Sequence, residues 1–269
     1  MTRPYFKESL MKTFRNTLAL VTGVSRKAGI GAAIARQLTL AGMDVFITYF
    51  RPYDQETRLA GDPDEPQQLL DELRKTGCRV HGLELDLSAP NSIPQLFDQA
   101  EQALGSISIL VNNATYSMPD GIEHLTAASL DRHYAVNVRG MALLCAEFVR
   151  RYTRHQSSHP YGRIINLSSG QGVGPMPGEL AYAATKGAVE AFTVSLSAEV
   201  APLGITVNAI DPGITDTGWI PPDLNAKWEH ESPMGRVGTP DDAARLIRFL
   251  ASAESGWITG QIMHSRGGM

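Results

Sequence analysis

The sequence predicts an α/β fold: a doubly wound parallel sheet of about seven strands with helices on both faces, in one domain. Three observations lead there. Short apolar, β-branched runs alternate with longer amphipathic ones. The short runs are apolar nearly throughout, as strands covered on both faces must be. The first of them opens directly into a glycine-rich turn followed by an Ala-rich segment. A length of 269 residues, with 43% apolar and 19% charged residues, suits a single large globular domain.

In chain order, strands are predicted over 18–21, 45–48, 80–85, 107–111, 163–167, 205–210 and 257–264. Helices are predicted between them over 31–41, 66–76, 93–104, 129–151, 180–203 and 241–251. Residues 1–15 form an N-terminal extension, and 16–269 form the domain. Two stretches look inserted. Residues 50–66 are interrupted by Pro52, Pro63 and Pro66 and are expected to be irregular. Residues 212–240 are long for a connection, and about 213–239 are expected to form a substrate lid.

Composition excludes several functions. A net charge of −4 offers no basic stripe for nucleic acid. No apolar run is long enough to span a bilayer, and the N-terminus lacks the h-region of a secretion signal, so a cytoplasmic protein with no membrane partner is expected. Cys78 and Cys145 are the only cysteines and imply neither a disulfide framework nor a thiolate metal site. The seven histidines show no ligand spacing, and no metal is expected.

The chemistry is concentrated in Ala-Tyr182-Ala-Ala-Thr-Lys186, with Ser169 thirteen residues before the tyrosine. Residues four apart share a helix face, so an ammonium would stand beside a phenol where a serine hydroxyl can converge. A phenol titrates near ~10, and a neighbouring cation brings it toward working pH. Such a trio can exchange a proton with a carbonyl or alcohol oxygen. Tyr-x-x-x-Lys alone is equally a solvated helix face, so the rest of the chain must decide.

The glycine-rich turn runs Thr22-Gly23-Val24-Ser25-Arg26-Lys27-Ala28-Gly29-Ile30-Gly31. Glycines there permit close backbone approach to a pyrophosphate, and the following helix N-terminus offers unpaired N–H groups. It is the first strand-to-helix turn of the chain, where dinucleotides bind in such sheets. Asp86-Leu87 follows strand three, Asn112-Asn113-Ala114 closes strand four, and Asn137 lies on the long helix. Pro212-Gly213-Ile214-Thr215-Asp216-Thr217 follows strand six, and Trp257-Ile258-Thr259-Gly260-Gln261 and Gly267-Gly268 close the chain.

With these pieces in this order, the chain resembles the classical short-chain dehydrogenase/reductase family over essentially its whole length. It departs from the family pattern twice. Five residues, not three, separate Gly23 from Gly29, and Thr115 replaces the glycine after Asn112-Asn113-Ala114. The resemblance implies a Rossmann fold and a nicotinamide cofactor. Tyr182 would be general acid or base, Ser169 would polarise the carbonyl, and Lys186 would lower the Tyr182 pKa and hold the ribose. Asn137 would anchor a water relaying protons from Lys186. Gly23, Ser25, Arg26, Gly29, Ile30, Gly31, Asp86, Leu87, Asn113 and Ala114 would line the cofactor site. Pro212, Gly213, Ile214, Thr215 and Thr217 belong to a loop that would cover the nicotinamide, with the Ile214 backbone on the carboxamide and Thr215 or Thr217 near the phosphates. Ser168 is given a backbone or cofactor-side role, and His133 and Tyr134 packing or surface roles.

Strand two ends Ile47-Thr48-Tyr49-Phe50-Arg51 with no carboxylate before Asp54. Arg51, with Arg26 and Ser25, could therefore grip a 2′-phosphate, so NADP(H) is preferred over NAD(H). Gln171, Pro175 and Met176 are placed on one wall of the substrate site, with Trp219 and Trp228 in an apolar lid. The activity expected is interconversion of a small carbonyl compound and its secondary alcohol. The nearest family flavour is the bacterial 3-oxoacyl-carrier-protein reductases, although Pro160 and Leu203 stand where those enzymes carry docking arginines, with Arg151, Arg154 and Arg163 as possible substitutes. Enoyl reduction is disfavoured by the four-residue Tyr–Lys step, and a non-catalytic NADP-binding regulator or sensor is the other-class alternative. The resemblance further implies a homotetramer or homodimer.

Overall fold

The computed structural model describes residues 17–57, 59, 61–154 and 161–268. The predicted extension 1–15 lies outside them. Seven parallel strands form one sheet in the order β3-β2-β1-β4-β5-β6-β7. They are β1 Leu18–Val21, β2 Asp44–Tyr49, β3 Val80–Glu84, β4 Ile109–Asn112, β5 Gly162–Leu167, β6 Ile205–Asp211 and β7 Ile262–His264. The order reverses beside β1, where β1 pairs with both β2 and β4. That opens a crevice at the carboxyl ends of β1 and β4, the usual ligand position in such sheets.

Strand alternation explains why both faces need cover. In β1, Ala19 and Val21 belong to one core with α1 (Ile30–Leu40), α3 (Glu65–Arg74) and α9 (Pro240–Leu250). Leu18 and Leu20 belong to the other, with α4 (Ser92–Leu104), α6 (Met141–Arg154) and α7 (Leu180–Val200). Side chains two apart share a face, so a run apolar at every position fills both cores.

Three expectations need correction. Residues 50–66 are not wholly irregular: α2 spans Arg51–Glu56, with Pro52 in its first turn. Proline is tolerated there because the first-turn N–H groups have no intrahelical partner. The helix expected over 129–151 is α5 (Ala127–Tyr134), then a π-helical stretch Ala135–Gly140, then α6 running on to Arg154. The last strand is only Ile262–His264, and Trp257 stands outside it, 99% exposed. The stretch 212–240 carries its own helix, α8 (Pro222–Glu231).

Candidate active site and cofactor cleft

The glycine turn is shaped by contacts that leave no room for a side chain. Gly23 has φ +73°, and a Cβ on it would stand 2.6 Å from the Ala114 Cα. A Cβ on Gly31 would stand 2.6 Å from the Gly23 carbonyl oxygen and 2.7 Å from Asn113 Nδ2. Asn113 holds the turn against β4, donating from Nδ2 to the Thr22 and Gly23 carbonyls at 2.8 and 2.9 Å. The longer turn bulges sideways onto α3. The Lys27 N–H donates to Glu65 at 2.6 Å, its ammonium meets Gln68, and Arg36 reaches back to the Lys27 carbonyl at 2.8 Å. So α1 still begins at Ile30, with Gly29 as an N-cap that offers no side-chain bond and no acidic residue in the first turn. Unblocked N–H groups facing a crevice suit an anionic group.

In front of this turn lies a cleft of about 1070 Å³. It is lined by Gly23, Ser25, Arg26, Gly29, Ile30, Gly31, Asp86, Leu87, Asn113, Ala114 and Thr217 among the predicted cofactor residues. Thr217 rather than Thr215 faces it, because the buried Thr215 hydroxyl is turned to the Pro212 carbonyl at 3.1 Å. Arg26 spans from the turn to the Thr217 carbonyl at 2.9 Å. Arg51 is not part of the lining. Its guanidinium meets the Gly61 and Asp62 carbonyls at 3.4 and 3.2 Å and lies 3.6 Å from the Asp54 carboxylate. Its attraction to buried Asp54 and its two carbonyl contacts hold the guanidinium off the cleft lining. Burial pushes the Asp54 pKa up, opposed by its hydrogen bond with Ser25 and by the charges of Arg51 and Arg26.

Helix α2 arches over this cleft, a role absent from the sequence reading. The Tyr53 hydroxyl both donates to the Ser117 carbonyl and accepts from the Ser117 N–H, each at 3.1 Å. Glu56 pairs with Arg132 of α5 at 2.6 Å, and the Arg132 guanidinium lies 4.6 Å from the centre of the Tyr116 ring. Tyr53 and Tyr116 pack with ring centroids 5.4 Å apart, and buried His133 meets Tyr116 edge-on at 4.8 Å. The predicted packing role of His133 fits this contact, while Tyr134 lines the cleft and is 40% exposed.

Ser169, Tyr182 and Lys186 converge as the spacing implied. Ser169 follows β5 and precedes a 3₁₀ turn, Gly170–Gly172; its hydroxyl hydrogen-bonds the Tyr182 phenol. Tyr182 lies in the first turn of α7, and the Lys186 ammonium stands 5.4 Å from its ring centre. Lys186 is 3% exposed and donates to the Leu167 carbonyl at 2.8 Å. With no carboxylate opposite it, burial pulls its pKa down to about 8. Burial pushes Tyr182 up to about 12, opposed by Ser169 and reinforced by Glu179, Tyr53 and Asp211. Desolvation is the largest influence on the phenol in this arrangement.

Asn137 sits within the π-helical stretch and is 3% exposed. Its Oδ1 accepts from the Thr115 hydroxyl at 3.2 Å and the Tyr116 N–H at 2.7 Å. Its Nδ2 donates to the Tyr116 carbonyl at 2.8 Å and to Thr185 at 3.0 Å. Those four bonds exhaust the capacity of a carboxamide. The side chain ties Thr115 and Tyr116 to α7. Thr115, in place of glycine, supplies one of the four. The signal for this was the threonine itself.

Asp120 was missed by the sequence reading. It accepts from the Leu180 N–H at 2.6 Å and the Ala181 N–H at 3.0 Å, closing the N-terminus of α7 just ahead of Tyr182. Ser168 has a different role from the one expected: its hydroxyl donates to Glu190 at 2.6 Å, and Gln171 donates to it at 3.2 Å. Met176 is half-buried and Pro175 exposed. Trp219, 47% exposed, donates to the Thr215 carbonyl at 2.9 Å and packs on Trp228 with centroids 5.8 Å apart. Trp219 and Trp228, the tryptophans assigned to the lid, therefore pack on each other with their rings tilted by 53°. Among the described residues no group of His, Cys, Asp or Glu could hold a metal ion, and no helix is long and apolar enough to cross a membrane.

The family model described as Enoyl-(Acyl carrier protein) reductase matches residues 23–269. The chain is 47% identical to the "Uncharacterized oxidoreductase YjdA" of Bacillus subtilis, covering 96% of this chain and 98% of the relative. It is 31% identical to a 3-oxoacyl-[acyl-carrier-protein] reductase FabG of Aquifex aeolicus, covering 94% and 96%. A short-chain dehydrogenase/reductase from Serratia marcescens superposes with TM-score 0.82 at 30% identity, covering 94% of this chain and 97% of that one. Acetoin dehydrogenase YohF from Salmonella typhimurium superposes with TM-score 0.80 at 28% identity, covering 94% and 96%. The chain belongs to the short-chain dehydrogenase/reductase family, and so to the nicotinamide-dependent oxidoreductases that interconvert carbonyls and alcohols.

Proposed function

We propose that the protein reduces a small carbonyl compound with NADPH, or runs the reverse oxidation, with Tyr182 as the proton-transferring residue. One observation carries this reading: the Ser169 hydroxyl and the Lys186 ammonium both meet the Tyr182 phenol at the carboxyl end of β5. When bound, the nicotinamide would supply or accept the hydride. Ser169 would hold the carbonyl oxygen by a hydrogen bond, and Tyr182 would give that oxygen its proton. Lys186, charged below about 8, would bind ribose hydroxyls with the ammonium donors that the Leu167 carbonyl does not use.

For the cofactor, Arg26 and Ser25 remain at the cleft where Arg51 does not. The Asp54 carboxylate also faces the cleft, but its charge is directed to Arg51 and Ser25. Arg26 is therefore the residue proposed to hold a 2′-phosphate. Arg26→Ala should raise the NADPH KM by about 10- to 100-fold, the worth of a charge-assisted hydrogen bond, and leave the NADH KM nearly unchanged. Equal changes for both cofactors would remove the NADPH preference.

A small substrate is favoured over one carried on acyl carrier protein. Arg163 is 3% exposed and spends its guanidinium on the Ser252 and Gly162 carbonyls. Arg151 is enclosed by Glu147, Glu101 and Asp98. Neither can dock an acidic partner; Arg154 is exposed at the end of α6, and position 160 lies outside the described residues. Steady-state turnover of a ketone panel, set against an acetoacetyl group on carrier protein, tests the choice.

A further inference from the structure

Behind the turn that carries Ser169 lies a buried charge pair with no part in the chemistry proposed above. Asp211 ends β6 and is 1% exposed. Its Oδ2 accepts from Arg266 Nη1 at 2.9 Å and meets His264 Nδ1 at 3.0 Å, while its Oδ1 accepts from the Gly213 N–H at 2.9 Å. Arg266 comes from the segment after β7 and runs between the two loops of the site. A Cβ on Gly170, next to Ser169, would stand 2.6 Å from Arg266 Nη1. A Cβ on Gly213, where φ is +67°, would stand 3.0 Å from the Arg266 Cα and Cγ. One side chain thus backs both the Ser169 turn and the Pro212-Gly213 loop.

A buried ion pair is weak evidence for stability, because desolvation offsets the attraction. Its location is more telling. Asp211 lies close enough to Tyr182 for its charge to oppose loss of the phenolic proton. Other groups facing Tyr182 are Ser169 from the β5 turn, Tyr53 from α2, Glu179 just before α7, and Lys186 within it. Only Asp211 among them is bound by a guanidinium that also touches the Ser169 turn.

We infer that Asp211 and Arg266 are a positioning pair: Arg266, held by Asp211, fixes the Ser169 turn against the loop after β6. This rests on Tyr182 being the proton-transferring residue. The pair touches neither reacting oxygen nor hydride path, so it acts through Ser169 and Tyr182.

The test is steady-state ketone reduction by the full-length enzyme with cofactor, run as a double-variant cycle. Arg266→Met should lower kcat/KM for ketone by roughly 10- to 100-fold as the Ser169 turn loosens, with the cofactor KM little changed. Asp211→Asn should cause a similar loss, and the double variant should add little to either single one. Arg266→Lys keeps the cation on Asp211 and should recover most of the loss, so a poorly folding methionine variant does not remove the test. Additive losses, a loss confined to the cofactor KM, or no recovery in the lysine variant would overturn the inference. Tyr182→Phe separates the two layers. If it abolishes turnover while the pair variants keep wild-type kcat/KM, only the pairing is wrong; if it retains turnover, the Tyr182 reading itself is wrong.

Discussion

Asp120 closes the helix that carries Tyr182, and removing it should loosen the site before it unfolds the protein. The carboxylate accepts from two first-turn N–H groups, at 2.6 and 3.0 Å. Loss of an N-terminal cap costs about 0.5–2 kcal/mol, and loss of a negative charge at a helix N-terminus about 0.3–1 kcal/mol more. Asp120→Ala should therefore cost about 1–3 kcal/mol, which in a domain of this size is a Tm decrease of roughly 3–10 °C. Asp120→Asn keeps an acceptor and loses the charge, so it should fall between. Tyr182 sits two residues beyond the first capped N–H, so kcat should fall with KM for cofactor little changed. Differential scanning fluorimetry and steady-state kinetics on the same preparations provide the assay. An alanine variant melting within 1 °C of wild type, or one whose loss lies in cofactor KM alone, would refute the capping role.

Carbonyl reduction should decline as pH rises through about 8. The falling group is Lys186, whose buried ammonium loses its charge there, while Tyr182 keeps its proton to about 12. A pH–rate profile of kcat/KM checks this, and a flat profile from pH 7 to 9.5 would contradict the assignment. Tyr53→Phe removes the hydroxyl that bridges α2 to both polar groups of Ser117. It should weaken cofactor binding by roughly 2- to 12-fold, one net hydrogen bond's worth, at nearly unchanged kcat, as measured by NADPH fluorescence titration. Glu56→Gln should change it less, since its partner Arg132 is 55% exposed and such pairs contribute about 0–1 kcal/mol. The opposite ranking would mean that the bridge is not held by Tyr53.

The parts of the fold legible in the sequence were those set by local periodicity. Runs such as Leu18-Ala-Leu-Val21 and Ile205-Thr-Val-Asn-Ala-Ile210 read as strands because every position is buried, and both proved to be so. Gly23 and Gly31 were legible because only glycine fits where a Cβ would meet backbone at 2.6 Å. The Tyr182–Lys186 step placed the phenol and the ammonium on one helix face, as found. What escaped detection depends on distant partners. Asp120 lies 60 residues from the N–H group it caps. The π-helical stretch around Asn137 carries no Pro or local signal and exists where Asn137 must reach Tyr116 and Thr185 at once. Arg51 is the local exception: helix α2 brings Asp54, three residues on, beside its guanidinium. Helix α2 was readable in principle: Pro52 marks a helix start as naturally as a break.

The most direct measurement is turnover of a ketone panel by Tyr182→Phe, with cofactor binding measured in parallel. Loss of the positioned acid should lower kcat by roughly 10²- to 10⁴-fold, while NADPH still binds within a few-fold of wild type. A phenylalanine variant that reduces ketones at the wild-type rate would contradict the assignment of Tyr182 and the site built around it.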